Sequence, residues 1–374
     1  MFELQQYAAR DPRVETIWRA LEADAKPSYF LSWAWIENWL ACLPQDDLPR
    51  LVVVHEGNTP VAAFFAGTRS IRRHGAFKSR GLHLNATGDE LHDGLRVEHN
   101  GILRAAGSGI TLDALVELLP DVWDELYLPA VDASAFPELS GLTERDDYRV
   151  LIDRSLSAPY VDLDLVRSVP GGYESMVPSP VRAQLHLTQQ ALGEVDLEIA
   201  TDERQAFEIY DELVRLHARR WHLRGEPGAF GAPFFDQFHR RLIAGRLRHG
   251  EIQLVRVRAR GETVGCLYNL VHGDRVRFYQ SGIATFDDPQ VQPGYLCHAA
   301  AIDHNARGGM HLYDLLGGNA RYTHPLATAE TRLLWLRVQR RLVRFTVEDR
   351  LKELKHALTS WRQRRLVAGV PSRA

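Results

Sequence analysis

The chain of 374 residues predicts a mixed α/β protein of the α+β kind: two successive units, each a mixed, mostly antiparallel sheet flanked by helices, followed by a C-terminal helical arm. Three observations lead there. The length is more than one small core needs and suits two domains of ordinary size. Strand-like runs joined by hairpin turns occur in two blocks, and each block is introduced by a helix with aromatic residues on one face. Within the second block, Arg275 to Tyr322 reads strand, loop, helix, strand, with glycines at the joins.

The first unit is expected over 1–158. Residues 28–43 form an amphipathic helix with Trp35 and Trp39 four apart on one face. Leu51 to His55 and Val61 to Thr68 are β-rich and are separated by Glu56-Gly57-Asn58, a hairpin signal. Ser108 to Leu119 offers a helix and Val122 to Leu128 a strand. Pro159 to Pro180, rich in Pro and Gly, is the crossing point into a second unit expected over 159–327. There Glu203 to Leu223 is a helix whose Phe207, Tyr210, Val214, His217 and Trp221 recur on one side. Ile252 to Val257, Val264 to Leu270 and Val276 to Gln280 follow as strands, with turns at Arg260-Gly261 and His272-Gly273-Asp274. Gln292-Pro293-Gly294 opens a helix, Tyr295 to Arg307, that ends at Gly308-Gly309, and His311 to Leu316 is a last strand stopping at Gly317-Gly318. Because a helix start leaves N–H groups unpaired, Gly294-Tyr295-Leu296 is a seat for a phosphate and points to a nucleotide-like cofactor. Residues 328–374 are expected as helices. Leu334, Val338, Leu342 and Phe345 make one stripe, Leu351, Leu354, Leu358 and Trp361 another, and Thr346 to Asp349 resembles a capping box between them.

With 45% hydrophobic and 25% charged residues, the composition is that of an ordinary globular protein. Neither a membrane-length apolar run nor a signal-peptide pattern is present, so a cytoplasmic setting is expected. Three cysteines without paired spacing encode no disulfide framework or zinc cage, and the sixteen histidines contain no metal-binding spacing, so no metal is expected. The net charge of −3 conceals an asymmetry: Arg332 to Arg365 carries eleven Lys or Arg against three acids. That basic arm is either a solvated face balancing an acidic body or a contact for a polyanion such as tRNA.

Several motifs in order resemble the GNAT acyltransferase superfamily, in its tandem CelD-like and Fem-like branch. They are Phe30-Leu31-Ser32-Trp33-Ala34-Trp35 with Trp39, Leu216-His217 with Arg220-Trp221, Phe278-Tyr279-Gln280-Ser281-Gly282, Pro293-Gly294, and Tyr313-Asp314 running to Gly317-Gly318 and Tyr322. Two departures accompany them: Gln290 or Gln292 stands before Pro293-Gly294 in a shortened phosphate loop, and Tyr322-Thr323 stands where the branch often has Tyr-Lys.

The resemblance implies an N-acyltransferase. An acyl group would pass from acyl-coenzyme A, bound at Gln292, Gly294, Tyr295 and Leu296, to the amine of a small acceptor by direct attack. Its alternatives are a Fem-like enzyme using aminoacyl-tRNA, held through the basic arm, and a non-catalytic tandem binding module. Direct attack needs a base and oxyanion donors but no enzyme nucleophile. Asp314, His217, Tyr279 and Tyr322 are the candidates for proton transfer. Asp314 shares a strand face with Leu312 and Leu316 and needs either a ligand or a partner such as Arg321. His217 is either a proton carrier or a hydrogen-bonded core histidine. Each tyrosine can donate to the reacting groups or simply pack with a polar tip. In the polar loops of the first unit, Glu98 can pair an ammonium and Asn100 can bond a carboxylate or amide. Trp33 and Gln280 complete the substrate-binding candidates, and a monomer or homodimer is expected.

Overall fold

The computed structural model describes residues 1–73, 77–135, 142–318, 320–351 and 353. Thirteen strands join in one continuous sheet: β1 (Phe2–Ala8), β2 (Arg50–Glu56), β3 (Thr59–Arg73), β4 (Phe77–Leu84), β5 (Leu103–Arg104), β6 (Glu125–Asp132), β7 (Tyr148–Asp162), β8 (Val195–Ile199), β9 (Ile252–Ala259), β10 (Glu262–His272), β11 (Arg275–Ile283), β12 (Leu312–Asp314) and β13 (Ala329–Arg340). Across the sheet the order is β1-β2-β3-β4-β6-β13-β7-β12-β11-β10-β9-β8, with β5 paired to β3. Pairing is antiparallel except for β4 with β6 and β11 with β12.

The order of elements repeats. A strand, two helices, a three-stranded meander, a helix and a parallel strand occur first as β1, helices Arg13–Ala25 and Trp33–Cys42, β2 to β4, helix Leu112–Leu118 and β6. They recur as β8, helices Glu203–His222 and Pro233–Arg246, β9 to β11, helix Pro293–Arg307 and β12. Each unit then adds a final long strand, and these two strands are exchanged. β7, from the first unit, pairs with β12 of the second, while β13, from the second, pairs with β6 of the first, and the two lie side by side. β7 runs unbroken through the boundary expected after residue 158.

One face of the sheet carries a core common to both units. Trp18, Trp35, Leu51 and Phe65 of the first unit share a cluster with Tyr210, Leu213, Phe238 and Tyr268 of the second. The Trp35 and Phe238 rings are 4.6 Å apart, and Asn38 Nδ2 donates to Phe238 O at 3.0 Å. On the other face the units have separate cores, one under Leu112–Leu118 and one under Pro293–Arg307.

Most predicted elements are present. Ser32 caps the tryptophan helix through Trp35 N, and the Glu56-Gly57-Asn58 hairpin and the second-unit meander lie where their turns place them. The expected helical arm needs correction at its start. Ala329–Arg340 is strand, with Leu333, Leu336 and Val338 fully buried, and helix begins only at 343. The spacing of Leu334 and Val338 satisfies a helical face and also a period of two, and the demand of β6 and β7 for a partner decides between them. The second stripe, Leu354 to Trp361, lies outside the described residues.

Candidate functional site

The short segment 95–101 lies between the units and divides two cavities. Its backbone is held by both sides. Asn100 N donates to Ala130 O at 3.0 Å, Asn85 Nδ2 bonds Asn100 Oδ1 at 2.9 Å and Gly101 O at 2.7 Å, and Tyr279 Oη donates to Leu95 O. Arg96 and His99 in this segment, and its neighbours Asn85, Ala130 and Leu316, all have positive φ. Such a cluster of strained residues persists only where surrounding structure over-determines it, and it occurs preferentially at functional sites.

Alternation along the segment sends Glu98 and His99 to opposite sides. Glu98 lines a cleft of about 680 Å³ whose walls include Trp35, Trp39, Trp221, Trp335 and Gly317. The residue is 8% exposed, and its carboxyl accepts the Gly317 N–H at 2.5 Å. Burial raises its pKa to about 7, with Asp314 adding to the rise and the Gly317 amide only partly opposing it. A Cβ on Gly317 would collide with Leu156 and lie 3.1 Å from Glu98 Oε2, so glycine lets the backbone reach the carboxylate.

His99 faces a second cavity of about 1000 Å³. Its Nε2 is 3.1 Å from Asp314 Oδ2 and its Nδ1 3.5 Å from Asp132 Oδ2. Burial alone would depress the imidazolium, but the two carboxylates overcome it and raise the pKa to about 9. Asp314, which burial would raise, is held below the ordinary carboxylate range by His99, Arg277 and the Leu316 amide at 2.9 Å.

Of the expected proton carriers, none lines the cleft. Asp314 has the partner its strand position demanded, and that partner is His99; the Arg321 side chain lies outside the described residues. An ion-paired carboxylate of lowered pKa is a poor base. His217 is a core histidine: Nδ1 lies 3.0 Å from Ser281 O, the ring packs on Trp221 and Phe230, and burial lowers its pKa. Tyr279 Oη is engaged by Leu95 O and, at 3.2 Å, by His239 Nε2 within the shared aromatic core. Tyr322 is stacked on Tyr295, and its buried hydroxyl has no hydrogen-bond partner among the described residues.

Tyr322 also bears on the expected cofactor seat. A Cβ on Gly294 would collide with the Tyr322 hydroxyl, so that side chain lies directly against the glycine of the expected seat. The Gln292 amide donates to Thr188 Oγ1 at 3.0 Å and the Tyr295 amide to Gln292 O at 3.1 Å, while Leu296 is buried. With these side chains as they stand, Gln292, Gly294, Tyr295 and Leu296 do not fit a coenzyme A diphosphate.

Of the substrate-binding candidates, Glu98 and Asn100 come together at the cleft, and Asn100 borders both cavities. Trp33 is buried with its amide on Glu22 Oε2 at 2.9 Å, and Gln280 is buried in β11; neither lines either cavity. Trp35 and Trp39, noted as a shared helix face, are the ones that reach the cleft, together with Trp335 from the exchanged strand β13.

Among the described residues one group, Asp47, Asp89 and His92, has ligand atoms within 4.8 Å of one another. Arg69 ion-pairs both aspartates, so one of the two negative charges a cation would meet is already balanced. In the described part of the basic tail, Arg337, Arg340 and Arg344 pair with Glu125, Asp121 and Asp124. No helix among the described residues is long and apolar enough to cross a membrane.

A repeated meander-and-parallel-strand unit with a cleft between the copies defines a tandem α/β architecture. Residues 181–324 match the family described as the acetyltransferase (GNAT) domain. FemX has the same fold over 90% of this chain and 96% of its own, with a TM-score of 0.57 and 8% identity. A protein of unknown function from Bacteroides thetaiotaomicron matches over 91% of this chain and 99% of its own, with a TM-score of 0.51 and 10% identity. A tandem GNAT protein from the clavulanic acid biosynthesis pathway covers 91% of this chain and 98% of its own at 12% identity, with a TM-score of 0.47. No curated protein matches the sequence. The second unit thus carries the match to the acetyltransferase (GNAT) domain, and the chain as a whole has the fold of FemX.

Proposed function

We propose that the chain is an N-acyltransferase that moves an acyl group to the amine of a small acceptor held in the cleft between the units, with Glu98 as the proton acceptor. One observation carries this reading: a nine-tenths buried carboxyl lines the cleft and has a pKa of about 7. A base of that affinity is substantially ionised at neutral pH and still takes a proton readily, which is the compromise general-base catalysis requires. Among the described residues its one amide partner is Gly317 N–H, which orients one oxygen and leaves the other for a ligand.

In the proposed step the acceptor ammonium gives a proton to Glu98. The freed nitrogen bonds to the donor's acyl carbon, the bond to the leaving thiolate breaks, and the thiolate takes up the second proton that the nitrogen loses, which leaves an amide and a free thiol. Trp35, Trp39, Trp221 and Trp335 supply apolar walls that exclude water and ring faces that suit a cation before it is deprotonated. Acyl-coenzyme A is the donor that the GNAT resemblance implies. Because Tyr322 covers Gly294, no step is drawn through that loop.

The test is thiol release from acyl-coenzyme A in the presence of a panel of small amines. Wild type is expected to consume thioester with at least one amine, on a pH profile whose acid limb has its midpoint near 7. Glu98→Gln should lose roughly 10²- to 10⁴-fold in kcat with that limb gone. No turnover with any amine, or a Glu98→Gln variant as fast as wild type, overturns the reading.

A further inference from the structure

We propose that the second cavity is a binding site for a small organic oxyanion, a carboxylate or a phosphate ester, anchored by Arg277. This site is separate from the cleft and does not depend on the transfer reading.

Arg277 lies in β11 beside Asp314 of β12 and lines the cavity, yet its side chain is 4% exposed. Its Nε and Nη1 have no hydrogen-bond partner among the described residues. Buried guanidinium groups are ordinarily paired, because stripping water from them without replacing its hydrogen bonds is costly. The obvious internal partners are otherwise engaged. Asp314 is turned to His99 Nε2 and to the Leu316 amide, and Asp132 to His99 Nδ1. Arg277 is thus a buried cation at the cavity wall that feels the charge of Asp314 but has two N–H donors without a hydrogen-bond partner among the described residues.

The surroundings agree. Five Lys or Arg side chains (Arg19, Lys26, Arg104, Arg275 and Arg277) and His99 line the cavity against the four acids Glu22, Asp132, Asp274 and Asp314. Glu22 is partly consumed by the Trp33 amide. Basic groups thus outnumber acids by one, or by two with His99 protonated, and this balance favours an anion over a cation. At about 1000 Å³ the space far exceeds a free inorganic ion. Leu31, Ile102, Leu103 and Pro27 offer an apolar wall for the body of the ligand, the usual composition of a small-molecule site. Arginine's planar fork suits both carboxylate and phosphate, which is why the shared chemistry, and not one of the two, is inferred.

The experiment is thermal melting and calorimetric titration of the full chain with inorganic phosphate and, separately, succinate, against sodium chloride at equal ionic strength. At least one probe is expected to bind at one site per chain and raise Tm beyond the chloride control. A phosphate response identifies a phosphoryl ligand and a succinate response a carboxylate. Arg277→Met should weaken that binding by at least about tenfold, since a charge-assisted hydrogen bond is lost. Glu98→Gln should bind like wild type. Should Arg277→Met fail to fold, Arg277→Lys and Lys26→Asn decide, each expected to weaken binding several-fold. No effect of either probe on wild type, or undiminished binding in the Arg277 variants, overturns the proposal.

Discussion

Glu98 and His99 are adjacent, and both bind a proton more tightly than in water for different reasons: burial favours the neutral Glu98 carboxyl, while two carboxylates favour the His99 imidazolium against burial. For Glu98 the buried, neutral form is favoured, so its contribution to stability is full below the unfolded value of 4.5 and is lost as pH rises to about 7. The loss is on the order of 3 kcal/mol by the free energy of one pKa unit. Glu98→Gln should therefore melt higher than wild type at pH 8 while losing turnover, the signature of a group held at a cost for function. A variant that melts lower across the range, measured by calorimetry, would assign Glu98 to structure. His99 has the reverse logic of a paired cation. Its contribution is complete below 6.5 and disappears as pH passes about 9. Asp314→Asn removes the nearer partner and should cost about 3 to 5 kcal/mol near neutrality, the price of breaking a buried pair, and should shrink the fall in stability between pH 6.5 and 9. Some of this was legible. The strand alternation around Asp314 demanded a partner, and the polar run at Glu98 and Asn100 suggested ligand contact. The partner itself, and the desolvation that makes Glu98 basic, depend on Gly317 and His99 meeting from distant parts of the chain, which side-chain order does not encode.

Hairpins and long amphipathic helices were readable because their signals are local: a turn of Gly or Asn between alternating runs, or aromatic residues repeating along Glu203–His222. β13 was not, because an i, i+4 pair such as Leu334 and Val338 fits both periods and only the open edges of β6 and β7 choose. Leu336 separates the two readings, since it lies off the helical stripe but shares the strand's inward face and is 2% exposed. Leu336→Ala is expected to cost about 2 to 5 kcal/mol in urea unfolding, as a buried leucine does. A change below about 0.5 kcal/mol, typical of surface positions, would argue for the helix. The cofactor loop shows a related limit. Pro293-Gly294 correctly marked a helix start, but the sequence could not reveal that Tyr322 returns to cover it.

At the scale of the whole molecule, length and the repeated order of elements pointed to two units, and what they could not disclose is that each unit lends its last strand to the other. The exchange has consequences for stability and for the cleft. β7 contributes Arg154 and Leu156, and β13 contributes Trp335, to the walls around Glu98, so the site exists only when both crossings are made. The common aromatic core on the opposite face ties the helices of the two units together as well. A chain joined by two exchanged strands and one shared core has no interface along which it can separate without exposing β6 and β12 as bare edges. Unfolding is therefore expected as one cooperative transition, with tryptophan fluorescence and far-ultraviolet circular dichroism coincident in urea. Residues 1–162 and 163–374 expressed apart should each aggregate or remain unfolded, because each keeps one long strand with no partner in its own unit. Two resolved transitions, or a soluble, cooperatively folding half, would mean that the exchange decorates two independent domains. The cleft would then owe its geometry to docking between them.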